Sequence, residues 1–150
     1  MRTKLLIGLV GASLAAAAMA QGTAADVIKT RQTGMKAVGA GFKGLNDQLR
    51  GTPDAETVKR HAAAIAAQSP KVPGWFGPGT ATAPGVKTGA RPEIWTRTAD
   101  FRKAAAELDV QAKRTLALAN AGDTAALGPQ LRALGGTCKT CHDSFRAKDD

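Results

Sequence analysis

Leu127, Leu131, Leu134, Cys138, Cys141 and Phe145 step by 4, 3, 4, 3 and 4 residues. That spacing puts all six on one face of a helix. The only two cysteines of the chain therefore continue a leucine seam, and His142 follows the second directly. Cys138-Lys139-Thr140-Cys141-His142 is a C-x-x-C-H run, the pattern of covalent c-type haem attachment. In that chemistry each thiol adds across a vinyl group and the imidazole binds iron. A thioredoxin-like dithiol would follow a strand, and no strand pattern precedes these cysteines. A structural zinc needs four ligands, whereas the run offers three and His61 is remote in sequence. A simple disulfide leaves the adjacent histidine unexplained.

The fold expected is all-α, an antiparallel four-helix bundle with one long crossover loop around a covalently bound haem c. Ile28, Arg31, Met35, Val38, Phe42, Leu45 and Leu49 step by 3 and 4, which predicts a helix over 24–50. Gly51-Thr52-Pro53 ends it. Thr52 or Asp54 caps a second helix running to about Gln68, with Val58, Ala62 and Ile65 inside. Residues 69–91 alternate proline with glycine and predict an irregular crossover without helix. Within it the adjacent Trp75 and Phe76 must cover something, either the bundle end or the cofactor. Pro92 marks the first turn of a third helix running to about Ala121, with Ile94, Trp95, Phe101, Leu108 and Leu116 as core. Asp123 caps the fourth, with Pro129 expected in its first turn.

Two expectations concern the environment. Arg2 and Lys4, the apolar stretch from Leu5 to Ala18, and Ala18-Met19-Ala20 read as a cleaved signal peptide over residues 1–20. The remaining 130 residues, 21–150, are expected to be one periplasmic domain with no membrane span. The formal charge of +9 becomes +7 once Arg2 and Lys4 leave. Export argues against a nucleic-acid partner, and the excess charge reads as a solvated basic surface or as steering toward an acidic redox partner protein.

His142 fills one axial position of the iron. The opposite ligand decides the chemistry. After loss of Met1 and Met19, Met35 is the one methionine left, and it lies on the inner seam. One turn earlier, Arg31 occupies the same seam. A core-facing arginine needs an anionic partner, and a haem propionate is a natural one. Gly34, Gly39, Gly41 and Gly44 crowd the same helix, as a close approach by another surface would require. Gly135 and Gly136 precede the attachment run in the same way. His61 is the remaining candidate, on a weakly apolar helix.

Three runs are similar to the class II cytochromes c, the cytochrome c′ family, over nearly the whole of residues 21–150. They are L-G-G-T-C-K-T-C-H-D-S-F-R at 134–146, R-P-E-I-W from Arg91 to Trp95, and I-K-T-R-Q-T-G-M at 28–35. The resemblance implies Cys138 and Cys141 as thioether anchors and His142 as proximal ligand. It implies Arg31 and Gln32 at a propionate, Met35 at the distal position and Arg146 near the proximal face. It leaves coordination open: the family has a low-spin branch with a ligating methionine, and five-coordinate members whose distal residue only shields the iron. The first expectation is electron transfer with His142 and Met35 as metal ligands. The alternative is an open distal site that binds NO or CO. An enzyme such as a peroxidase is not expected, because no acid/base pair lies on the haem seam. Family members are often homodimers through the first two helices; the Ala-rich second helix does not decide this.

Overall fold

The protein is described by a computed structural model over residues 22–148. The leader expected at 1–20 lies outside the described residues. Among the described residues five α-helices and a 3₁₀ segment form: α1 Ala24–Arg50, α2 Ala55–Gln68, the 3₁₀ segment Ser69–Phe76, α3 Glu93–Thr96, α4 Thr98–Ala121 and α5 Thr124–Phe145. The four long helices make the bundle. α1 packs on α2 and α5, and α4 packs on the same two. Both tight links lie at one end, while the crossover lies at the other, beside the start of α1 and the close of α5.

The seams that the sequence displays are the ones buried. Ile28, Arg31, Val38 and Leu45 of α1 are buried, with Met35, Phe42 and Leu49 half-buried between them. Val58, Ala62 and Ile65 line α2. Leu127, Leu131, Leu134 and Phe145 line α5, and Cys138 and Cys141 pack against the same core. On α4 the seam is more regular than its large residues suggest: Phe101, Ala105, Leu108, Ala112, Thr115 and Ala119 are all buried.

Three local expectations need correction. The crossover is not wholly irregular, because Ser69–Phe76 winds into 3₁₀ helix. Three residues per turn eclipse every third side chain, and Ser69, Val72 and Trp75 are the buried ones. The third helix is interrupted at Arg97, whose φ of −118° and ψ of 49° leave the helical region. On a straight helix Trp95 and Phe101 would point roughly 120° apart. The break lets both rings reach Phe76, at centroid distances of 6.3 and 4.9 Å. Pro129 lies inside α5 rather than in its first turn, since Asp123 caps by accepting from the Ala126 N–H and the helix starts at Thr124.

Hydrogen bonds fasten the end of the crossover to the end of α5. The Arg91 N–H donates to Phe145 O at 3.0 Å, and the Ala147 N–H donates to Gly89 O at 2.8 Å. Ala90 and Arg146 thus form an isolated antiparallel bridge.

Candidate haem site

α5 supplies the attachment run. Cys138 and Cys141 are half-buried on its inner face. Burial pushes the Cys138 thiol pKa up, and burial followed by the neighbouring Cys138 pushes Cys141 up to about 11. Both are therefore thiols, the form whose S–H adds across a vinyl group. His142 reaches the surface. Partial burial of its ring, and then the charge of Arg146, lower its pKa against a smaller upward pull from Asp143. The neutral imidazole so favoured is the form that ligates iron. A cavity of about 460 Å³ opens beside it, lined by Arg91, His142, Asp143, Arg146, Ala147 and Lys148. Arg146 thus shares a cavity with His142. Among the described residues no three His, Cys, Asp or Glu side chains gather to hold a bare metal ion.

α1 supplies the opposite wall. Arg31 is 3% exposed and makes no ion pair among the described residues. Its guanidinium donates to Thr80 O at 2.6 Å and to Thr88 Oγ1 at 2.7 Å. It also stacks on the Phe76 ring at 4.9 Å. Burial lowers its pKa. Its partners among the described residues are thus neutral oxygens and an aromatic face, none of them anionic. Next to it, Gln32 Nε2 donates to Lys87 O at 2.7 Å. Thr80, Thr88 and Lys87 were not singled out by the sequence, where they are ordinary polar residues of a loop.

The glycines of α1 do mark close approaches, but to protein. A Cβ at Gly34 would overlap the Trp75 ring, and one at Gly44 would overlap the His61 ring. At Gly41 it would meet Ile65 Cγ1 at 2.8 Å and His61 O at 2.9 Å. Gly39 faces open space. His61 is thereby taken up in the α1–α2 contact. Gly135 admits Phe42 of α1, whose Cζ would lie 3.0 Å from an added Cβ. Met35, Phe42, Phe76, Cys138 and Cys141 all pack against one apolar core.

These residues fit a haem. Two protonated thiols share a helix face, a neutral imidazole follows, and the facing helix holds a buried cation that lacks a counter-ion. Cys138 and Cys141 would hold the macrocycle, His142 its iron and Arg31 a propionate; the group itself would supply one-electron and diatomic-ligand chemistry.

Known proteins agree with that fit. The sequence profile described as Cytochrome C' matches residues 26–146. The cytochrome c′ of Pararhodospirillum photometricum is 38% identical over 120 residues, covering 79% of this chain and 94% of that protein. A solved cytochrome c′ described as having an unusual ligand-controlled dimer dissociation superposes with TM-score 0.81 at 30% identity, over 84% of this chain and 98% of its own. A nitric oxide complex of a mutant cytochrome c prime from Alcaligenes xylosoxidans superposes with TM-score 0.76 at 28% identity, over 84% and 97%. The chain belongs to the cytochrome c′ family, four-helix bundles that carry one covalently attached haem c.

Proposed function

We propose that this is a periplasmic haem c protein, not an enzyme, whose iron is held by His142 and keeps an open distal side for NO or CO. The observation that carries the reading is the packing of Met35. It is half-buried in the apolar core with Phe42 and Phe76, and its helix neighbour Gly34 lies under the Trp75 ring. An apolar wall with no second imidazole suits a small neutral ligand. His61 is engaged against Gly44 instead. Similarity to a cytochrome c prime solved with nitric oxide supports the same choice. The periplasmic setting is supported by the leader-like residues 1–20 and by the absence, among the described residues, of a helix long and apolar enough to cross a membrane.

A second reading, electron transfer with Met35 as distal ligand, is favoured by one fact: Met35 is the sole thioether within residues 22–148, one turn from Arg31. Optical and EPR spectra of the purified ferric and ferrous protein separate the two. The open-site reading expects a high-spin ferrous spectrum, rapid CO uptake and little change in Met35→Leu. A low-spin spectrum that Met35→Leu converts to high spin would overturn it in favour of the carrier. A homodimer would accord with the relative whose dimer dissociates under ligand control; sedimentation of the haem-loaded protein tests it.

A further inference from the structure

Lys29 and Lys36 lie three residues before and four residues after Gln32 on α1. On a helix surface those positions flank the residue between them. The hydrogen bond from Gln32 Nε2 to Lys87 O, 2.7 Å long, brings the crossover's Lys87 to the same place. All three lysines are exposed, and none joins an ion pair among the described residues. Five other cations on the long helices are paired: Lys43 and Arg50 with Asp47, Lys59 with Glu56, Lys113 with Asp109 and Lys139 with Asp143. The carboxylate of Asp26, three residues before Lys29, accepts from Thr23 at the start of α1. It lies within coulombic reach of Lys29 without forming an ion pair. Lys29 and Lys36 therefore stand, outside any ion pair among the described residues, on the outer side of the helix stretch whose inner side carries Arg31 and Met35, with Lys87 of the crossover beside Gln32.

We propose that Lys29, Lys36 and Lys87 form the docking face for an acidic one-electron redox protein. The proposal rests on the haem reading but is independent of whether Met35 ligates iron. One electron would pass from the partner's reduced centre to the ferric protein, or back from the ferrous protein to an oxidised partner; no bond changes and no proton moves. Clustered like charges steer an oppositely charged partner and set its orientation. A membrane surface is the weaker candidate. Peripheral attachment wants apolar side chains beside the cations, whereas the exposed neighbours here are Thr30 and Thr33. Val110, the exposed large hydrophobic among the described residues, is on α4.

The test compares Lys29→Glu/Lys36→Glu/Lys87→Glu with Arg102→Glu/Lys103→Glu/Arg114→Glu, an equal charge change at exposed positions of α4. In stopped-flow oxidation of the haem-loaded ferrous protein, ferricyanide serves as anionic probe and tris(phenanthroline)cobalt(III) as cationic probe. At low salt the α1 triple should slow the anion about tenfold and speed the cation, with the difference vanishing at high salt. The optical spectrum and CO uptake should not move, so failure here is separable from failure of the haem reading. Equal slowing by the α4 triple would reduce the effect to net charge and overturn the proposal. Amide shifts of ¹⁵N-labelled protein titrated with an acidic plant-type ferredoxin should centre on residues 29–36 and 86–88. Shifts centred elsewhere, or none, would overturn it. So would sedimentation with phosphatidylglycerol vesicles that the α1 triple abolishes, which would assign the face to lipid.

Discussion

The two ends of the bundle are closed by different physics. At the end with the tight links, every closure is local. Asp54 accepts from the Thr57 N–H at 2.8 Å and Asp123 from the Ala126 N–H at 3.0 Å. Gly122, at φ 68°, turns α4 off in the left-handed conformation that glycine adopts without strain. At the haem end, closure comes from residues far apart in the chain. Arg31 reaches Thr80 and Thr88, Trp95 Nε1 donates to Gly77 O at 3.0 Å, and Trp75 fills the hollow over Gly34. One end obeys short-range rules and gains stability. The other breaks them with a buried cation, half-buried thiols and a helix interruption, as functional regions tend to.

That contrast can be broken experimentally. The largest effect should come from the conventional end: Leu127→Ala, at a fully buried site, should cost about 3 kcal/mol in chemical denaturation while leaving the haem spectrum alone. A spectrum that changed as well would mean the ends are not separable. Gly34→Ala should cost about 2 kcal/mol through overlap with Trp75. In the double variant with Trp75→Leu most of that cost should disappear; simple additivity would place the strain elsewhere.

Arg31→Met divides the haem-loaded from the haem-free protein. Without haem the lost hydrogen bonds run to neutral oxygens, whereas with haem a charged partner goes too. The loaded form should lose about 1.5 kcal/mol more, and equal losses would remove Arg31 from the cofactor. Asp123→Ala should cost about 1 kcal/mol, an ordinary cap.

The smallest effect is a pH dependence. The Lys113 ammonium, foremost, and the Ser69 hydroxyl hold the Asp109 pKa below 3.8. The unfolded chain binds that proton first, so the contribution is intact above the unfolded value and is lost as pH falls through the folded one. Denaturation midpoints across the acid range should show a shallower loss in Lys113→Met than in the parent protein.

Much of the bundle was legible because heptad spacing is a short-range code: the residues of the α1 and α5 seams are buried or half-buried at the positions their sequence steps demand. The attachment run was legible for the same reason. The rest depends on encounters that no window of sequence contains. The break at Arg97 exists so that Trp95 and Phe101 can share Phe76, which lies in another segment. The partners of Arg31 are two threonines of the crossover, indistinguishable in sequence from its other polar residues. The α1 glycines announced a close approach, yet only the fold could say that Trp75, Ile65 and His61 make it.

The bridge between Ala90 and Arg146 bears on the durability of the site. Terminal helical turns open first in local unfolding, and here the terminal turn of α5 carries His142. The Arg91 and Ala147 hydrogen bonds clamp that turn against the crossover from behind. An end that would otherwise fray is thereby held shut, and the imidazole that would hold the iron is kept in place by a loop about fifty residues away in sequence.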